Sequence, residues 1–307
     1  MSETDDPLII ESIDQVHRIA TATKPAHPLI SVVGASWQPP MDVKVPLLHR
    51  RIISNLYAVS LKRGNECGLK YGRTYYDFQE GSLLCLAPGQ SIIPITEPSD
   101  LDSEHAGWTL LFHPDLLRRT NLAEQMREYS FFGYESHEAL HLSETEGQTL
   151  TSIVQTIEKE YAHIDAFSDE LLVSHLQLFL NYCKRFYARQ FISRSNPHQD
   201  VVVRLEKFLG EYFQSVRPAQ EGLPNVVVCA KAMGYSADYL SDLLRKETGR
   251  NTRDHIHHFL IEQAKNRLLS SDQTVSEIAF SLGFEHPQHF SKLFKSKTGL
   301  SPGAYRQ

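Results

Sequence analysis

The sequence has few of the features that mark exported or zinc-binding proteins. Among its 307 residues it has four cysteines, Cys67, Cys85, Cys183 and Cys229, and no two of them have CxxC spacing. This scarcity argues against a disulfide framework and a zinc knuckle, and it favours buried apolar cysteines in a reducing compartment. The opening residues, MSETDDPLII, are acidic, whereas a secretory signal starts with basic residues and an apolar run.

Long apolar runs are also missing. The uncharged stretch at 171–183 has 13 residues and is interrupted by His175, Gln177 and Asn181. A membrane span needs about 20 mostly apolar residues, so this stretch predicts a buried or interfacial helix. We therefore expect a cytoplasmic protein that does not contact membranes.

Sequence patterns of enzymes are absent as well. The chain contains no GxSxG, P-loop or GxGxxG pattern. Some β-barrel enzymes, those of the cupin type, hold an iron or manganese ion with two histidines and a carboxylate. The segment in which these histidines would be expected, KRGNECGLKYGRTYYDFQEG, has no histidine. Catalysis and a cofactor are therefore not expected.

Negative charge is unevenly distributed along the chain. The formal net charge is −6, but residues 196–307 carry 14 Lys and Arg against 12 Asp and Glu. Residues 1–195 carry 17 against 25, so the two parts have net charges of +2 and −8. Such asymmetry is a hint that the C-terminal part meets a polyanion.

Three regions differ in their patterns. Short apolar runs broken by Gly, Pro, Asn and Asp, from about Leu29 to Leu111, predict a β-sandwich or barrel. Two amphipathic helices follow, one capped by Ser143 with Glu146 and one at about 168–189, and they either cover the β module or form a dimerisation hairpin. The polar segment SRSNPHQD, 193–200, marks a boundary. The predicted domains are 1–140 (regulatory), 141–195 (helical linker or dimerisation segment) and 196–307 (all-α).

The last region contains one pattern twice. Residues 226–249, the first copy, and 275–299, the second copy, align on their glycines. The matched residues are Val226, Ala230, Gly234 and Tyr235 with Val275, Ala279, Gly283 and Phe284, and then, after one extra residue in the second copy, Leu240, Ser241, Leu244, Thr248 and Gly249 with Phe290, Ser291, Phe294, Thr298 and Gly299.

Each copy has the pattern of a helix-turn-helix. An alanine four residues before a glycine fits a close helix contact and a turn that tolerates positive φ. Thr274 with Glu277 forms a capping box, and Ser301 with Pro302 starts a last short helix. The second helix of such a motif can lie in the major groove of DNA.

One amphipathic helix, predicted from Thr252 to about Ser271, joins the copies. At a rise of 1.5 Å per residue it spans roughly 30 Å. Successive major grooves on one face of DNA lie roughly 34 Å apart. A rigid helix of this length would hold two recognition helices one turn of DNA apart.

At these residues the chain resembles the AraC/XylS family of bacterial transcription regulators. The resemblance covers roughly residues 200–307 and is most specific in VSEIAFSLGFEHPQHFSKLFKSKTGLSPGAYR. It implies a seven-helix unit in two lobes that binds double-stranded DNA. The N-terminal half is similar to the cupin-like sensor domain of many members, which implies a small-molecule effector, a homodimer and RNA polymerase as partners. The resulting fold class is α+β multidomain.

By this resemblance, the base-reading residues are the exposed ones near the start of each second helix. The same positions face away from the leucines and phenylalanines. They are Ser236, Asp238, Ser241, Asp242 and Arg245 in the first copy, and Pro287, Gln288, Ser291, Lys292 and Lys295 in the second. A glutamine can form paired hydrogen bonds with adenine, and a lysine can donate to guanine or attract a phosphate. A carboxylate repels phosphates and can accept a hydrogen bond from the amino group of cytosine. The second copy is therefore expected to supply more of the affinity, and an ordinary solvated helix face is the alternative for any one charged residue.

Other residue groups leave alternatives open. Arg73, Tyr75, Tyr76 and Trp108 are candidates for lining a ligand pocket, with core or rim packing as the other reading. His255, His257 and His258 lack the further ligands of a tetrahedral metal site and favour a surface near DNA phosphates. The competing function is a cupin enzyme or carbohydrate-binding protein with a helical tail.

Overall fold

The computed structural model describes residues 7–20, 23–34, 50–62, 69–71, 74–75, 81–94, 107–135, 138–193 and 195–307. It divides into two compact units, Met1–Ile192 and Ser193–Gln307. Tyr76 and Cys67 lie outside the described residues.

The first unit is rich in short strands, as predicted. Two five-stranded sheets have the orders β1-β3-β8-β5-β6 and β10-β7-β4-β9-β2. The strands are β1 (Leu8–Ile10), β2 (Ile30–Gly34), β3 (Ile52–Ser54), β4 (Tyr57–Lys62), β5 (Leu69–Tyr71), β6 (Thr74–Tyr75), β7 (Ser82–Leu86), β8 (Ser91–Pro94), β9 (Trp108–Phe112) and β10 (Leu140–His141), and the helix α1 (Ile13–Ala20) follows β1.

The second sheet is buried on both faces. Because side chains alternate along a strand, Ala58 and Leu111 point to one face, where they pack with Ile13 and Leu56. Val59 and Leu110, which are register partners in β4 and β9, point to the other face and are fully buried. The sheet therefore forms the middle layer of this unit.

Two long helices cover that other face. After the short helix α2 (Asn121–Gln125), α3 (Glu144–Ala162) and α4 (Ser168–Ser193) follow β10. The predicted capping box at Ser143 and Glu146 is present. Leu150, Ile157, Leu172 and Phe179 are among their fully buried residues. The buried side of this helix pair therefore packs on the sheet, which is the first of the two predicted alternatives.

The second unit is helical throughout its described elements. They are α5 (Ser195–Gln214), α6 (Arg217–Glu221), α7 (Val226–Met233), α8 (Ala237–Thr248), α9 (Thr252–Ser270), α10 (Val275–Ser281), α11 (Pro287–Thr298) and α12 (Pro302–Arg306). The helix α5 begins at Ser195, inside the polar segment 193–200. Pro197 lies in its first turn, where a missing backbone N–H breaks no intrahelical hydrogen bond.

The helix that joins the copies has the predicted inward face. Ile256, Leu260, Ala264 and Leu268 of α9 are buried, and Phe259 stacks on Phe213 with ring centroids 5.9 Å apart. None of the helices in the described ranges combines the length and apolarity needed to cross a membrane.

Candidate nucleic-acid interface

The first copy folds as two helices, α7 and α8, around a left-handed glycine. Asn225 caps α7 by accepting a hydrogen bond from the backbone N–H of Val228. Gly234 ends the helix at φ 77° and ψ 31°, a conformation that costs an L side chain energy. Ser236 then caps α8 by accepting from the Tyr239 N–H at 3.2 Å. The chain therefore turns sharply between two firmly terminated helices.

The second copy repeats this arrangement with α10 and α11. The predicted capping box of Thr274 and Glu277 is present, and Gly283 has φ 95°. Pro287 occupies the first position of α11, where its fixed φ suits a helix start. Gly249 and Gly299 end α8 and α11 at φ 74° and 81°, the left-handed conformation common at helix ends.

Both second helices bury one side and expose the other. Leu240, Leu243 and Leu244 of α8 are fully buried, and so are Phe290 and Phe294 of α11. Each helix has 12 residues and belongs to a small helical bundle through this apolar stripe. The opposite side is polar and faces outward.

Within α8, the predicted contact residues are three charged side chains and one serine that is bonded within the protein. Asp238 and Arg245 are exposed, and the carboxylate of Asp242 lies 3.6 Å from the Arg245 guanidinium. Ser241 is half-buried, donates to the carbonyl of Ala237 at 2.8 Å and lies 3.1 Å from the hydroxyl of Thr252.

The expectation that Ser236 is exposed was therefore wrong, and Ser241, Asp242, Pro287 and Ser291 are half-buried. Ser236 is buried as the cap of α8, and Ser241 packs towards the start of α9. Hydroxyls are small enough to serve as helix caps and interhelical contacts, and the helical pattern alone did not show which of them do so.

Within α11, the predicted residues form a basic and amide surface. Gln288, Lys292 and Lys295 are exposed, whereas Pro287 and Ser291 are half-buried. The helix contains three lysines and no aspartate or glutamate. Sequence reasoning missed Lys297, whose Nζ lies 3.7 Å from Asp254 of α9. Its spacing of five residues from Lys292 puts it off the predicted contact stripe.

The electrostatics of the two helices differ. The side chain of Asp238 is exposed at the surface, but neighbouring atoms desolvate its carboxyl group in part and so raise its pKa; the Asp242 carboxylate raises it further. The first half of α8 thus places two carboxylates near each other. α11 presents only cations and neutral groups among its charged and polar residues.

The three histidines of α9, His255, His257 and His258, lie in the first two turns of that helix. His255 accepts or donates a 2.7 Å hydrogen bond with the Thr248 hydroxyl. Burial is the main cause that lowers the pKa of His255 and of His257. Among the described residues, no three His, Cys, Asp or Glu side chains are arranged to hold a metal ion.

Of the residues predicted to bind a ligand, the structure describes one in full. Arg73 lies outside the described residues, and only the backbone of Tyr75 is described, in β6. Trp108 is buried, its indole N–H donates to Thr151 Oγ1 at 3.0 Å, and its ring meets Phe179 edge-on at 5.8 Å. The geometry gives Trp108 a packing role between β9 and the two long helices.

The described cysteines are also packing residues. Cys85, Cys183 and Cys229 are buried with free thiols. Burial raises the pKa of Cys229 to about 11 and that of Cys85 well above its usual range. Thiols of this kind stay protonated, as expected of apolar fillers.

Comparison with known proteins finds relatives for the C-terminal part. A helix-turn-helix domain family matches residues 229–307. The MmsAB operon regulatory protein of Pseudomonas aeruginosa is 45% identical over 60 residues, which are 20% of this chain and 20% of that protein. The transcriptional activator NphR of Rhodococcus sp is 37% identical over 78 residues, which are 25% of this chain and 23% of that protein.

The match to these relatives is partial. The chain spans a fifth to a quarter of the length of each of the two. Among solved structures, the C-terminal domain of AraT, a response regulator from Geobacillus stearothermophilus, is 26% identical with a TM-score of 0.31, covering 34% of this chain and 83% of that one. The family match thus makes residues 229–307 similar to a helix-turn-helix domain, and the two relatives named above are, by their names, an operon regulatory protein and a transcriptional activator.

Proposed function

We propose that this protein is a sequence-specific, DNA-binding transcription regulator of the AraC type. In this function α8 and α11 lie in successive major grooves of one DNA site. The observation that carries the proposal is the doubled helix pair, in which both second helices expose their polar sides. The 19 residues of α9 between the copies span roughly 28 Å, close to the roughly 34 Å of one DNA turn.

The two helices make unequal contributions to affinity. Lys292 and Lys295 of α11 attract phosphates and can donate to guanine, and Gln288 has the donor and acceptor that adenine requires. Asp238 and Asp242 of α8 repel phosphates and can accept a hydrogen bond from a cytosine amino group. The second copy therefore supplies most of the affinity, and the first copy discriminates among sequences.

The first unit acts as a cupin-like sensor for a small molecule or a protein partner. Its two five-stranded sheets and the net charge of −8 over residues 1–195 suit a regulatory domain that stays away from DNA. The regulator works in the cytoplasm, and its activity as a regulator requires no catalytic group. RNA polymerase is the partner that such a regulator would affect at a promoter.

The regulator is a homodimer that pairs through α4. Leu171 and Leu178 are 43% and 46% exposed, and they lie seven residues apart on one side of this helix. Phe167, 68% exposed, precedes them by one turn. Exposed apolar side chains in a helical stripe mark an interface between helices.

The test is selection of bound sites from a random duplex library with the full-length chain at near-physiological salt. We expect enrichment of a motif with two sub-elements about 10 base pairs apart. Replacing Lys292 and Lys295 with alanine should abolish the enrichment, and replacing Lys159 of α3, in the other unit, should not. No enrichment with the full chain or with residues 196–307 would contradict the proposal.

A further inference from the structure

The turn glycine of the second copy touches another part of the helical unit. A Cβ added to Gly283 would lie 2.8 Å from the carbonyl carbon of Gly222 and 2.8 Å from the carbonyl oxygen of Pro218. Real Cβ atoms essentially never come this close to such neighbours. Both neighbours are backbone atoms, which cannot swing aside as a side chain would. The turn of the second copy therefore packs directly on the backbone of α6 and of Gly222, which follows it.

That backbone is itself held in place from the first half of the unit. Gly222 has φ 80° and ψ −161°, a conformation open essentially to glycine alone. Its N–H donates to the Pro218 carbonyl at 3.0 Å, and its carbonyl accepts from the Tyr212 hydroxyl at 2.9 Å. Tyr212 belongs to α5, so the surface under Gly283 is fixed to the helices that carry the first copy.

Arg267 of α9 provides a second connection at the same junction. One of its terminal nitrogens donates to the carbonyl of Phe213 in α5 at 2.9 Å. The other donates to the hydroxyl of Ser281 in α10 at 2.7 Å. Ser281 in turn donates to the Ile278 carbonyl. A planar guanidinium that donates in two directions fixes the angle between the groups it joins.

These contacts do not belong to the repeated motif itself. The equivalent of Gly283 in the first copy is Gly234, and a Cβ added there would meet nothing within 4 Å. The equivalent of Ser281 is Ala232, which has no hydroxyl. Gly283 and Ser281 therefore have a task at the junction between the copies that their counterparts lack.

We propose that Gly283 and Arg267 lock the two copies into one rigid body, so that the protein itself fixes the spacing of the two halves of its DNA site. This inference rests on the proposed function, because it assumes that α8 and α11 enter the same DNA. A change of one base pair in the spacer rotates one half-site by roughly 35° relative to the other. A locked pair of recognition helices cannot follow this rotation, whereas a hinged pair can.

The experiment measures binding of the full-length chain to duplexes whose two sub-elements are separated by spacers of varied length. We expect the unaltered protein to lose about tenfold or more in affinity when the spacer changes by one base pair, the scale of a lost base contact. Gly283→Ala should bind the best spacer more weakly and distinguish the spacers by less than about threefold. The matched control, Gly234→Ala, should keep the sharp preference. Ser281→Ala, which removes only a hydroxyl, gives a second variant if Gly283→Ala fails to fold.

Three outcomes of this experiment count against the lock. An unaltered protein that binds all spacers equally would show that the copies move independently. A sharp preference that survives in Gly283→Ala would show that the contact does not set the spacing. If Gly283→Ala does not fold, a sharp preference that survives in Ser281→Ala would contradict the role of Arg267.

Hydrogen exchange of the full chain without DNA separates this inference from the proposed function. The lock predicts that Gly283→Ala speeds hydrogen exchange of the backbone amides at 217–223 and leaves exchange in α8 unchanged. Gly234→Ala should not speed exchange at 217–223. A protein that selects no DNA but shows this pattern would overturn the proposed function alone. Unchanged exchange at 217–223 would overturn the lock, whatever the DNA result.

Discussion

Asp242 of α8 and Lys292 of α11 occupy equivalent positions of the two copies. Each lies two residues after a fully buried residue, Leu240 or Phe290, and each is on the polar side of its helix. The same helical geometry thus presents a negative charge in the first copy and a positive one in the second. The two helices are alike as scaffolds and opposite in what they offer to DNA.

The Lys292 side chain gives the first prediction. Replacing Lys292 with alanine should weaken DNA binding about tenfold and lower the slope of log affinity against log salt by about 1, because one displaced cation is lost. Ser241→Ala should cost less DNA affinity, since its hydroxyl is already bonded to Ala237 and Thr252. Titrations of a fluorescent duplex at several salt concentrations measure both quantities.

A control for this prediction is Lys159→Ala, which removes the same charge from the exposed side of α3 in the other unit. It should leave the affinity and the salt slope unchanged. Equal losses for Lys292→Ala and Ser241→Ala would show that the two copies contribute alike.

Asp238 gives a prediction about pH. Because partial desolvation and the Asp242 carboxylate raise the pKa of Asp238, this group takes up a proton earlier than an ordinary aspartate as the pH falls. The carboxylate repels phosphates above that pKa and the neutral acid does not, so DNA affinity should rise as the pH is lowered from neutral through it. His286, the N-cap of α11, and His289 within that helix are further titratable groups, so the contribution of Asp238 is the difference between the unaltered chain and Asp238→Asn.

In this comparison Asp238→Asn should bind more tightly than the unaltered protein at neutral pH. The two should converge as the pH falls. Parallel affinity curves at all pH values would show that Asp238 does not titrate near the DNA.

Trp108 gives a prediction about stability. Trp108→Phe keeps a ring against Phe179 but removes the indole N–H bonded to Thr151. We expect a loss of about 1–3 kcal/mol in the free energy of unfolding, from the hydrogen bond and the smaller ring. Thr151→Val should also lower the free energy of unfolding. The double variant should lose less than the sum of the two single losses, because both substitutions remove the same hydrogen bond.

Urea denaturation of the full chain measures these differences. Additive losses would show that the bond contributes nothing. An unchanged stability in Trp108→Phe would argue that the ring is not part of the core and would restore its candidacy as a ligand-binding residue.

The parts of the fold that depend on neighbouring residues were predictable from the sequence. The capping boxes at Ser143 and at Thr274 need only two residues three apart, and both are present. The left-handed ends at Gly249 and Gly299 follow from the absence of a Cβ. The two helices of each copy also lie where the spacing of their apolar residues predicted them.

The contacts between distant segments were not predictable in this way. A helical pattern shows that Ser241 lies off the leucine stripe, but not that Thr252 of the next helix covers it. Trp108 looked like a pocket residue because it is large and partly polar, and only the position of α3 supplies its partner, Thr151. The contact of Gly283 with Gly222 likewise joins residues 61 positions apart.

The exposed apolar stripe of α4 gives the last prediction. Replacing Leu171 and Leu178 with aspartate puts two charges into the proposed contact between the two protomers of the dimer, where burying them would cost free energy. The double variant should therefore sediment as a monomer at micromolar concentration, while the unaltered chain sediments as a dimer. The fold of the unit should persist, because both side chains are exposed within one chain.

The matched control places the same two charges elsewhere. Ser152→Asp combined with Gln155→Asp alters exposed positions of α3 and should leave the dimer intact. A dimer in both double variants would move the interface away from α4. A monomer for the unaltered chain would remove the homodimer from the proposal and would leave unchanged the proposal that one chain reads both sub-elements of a site.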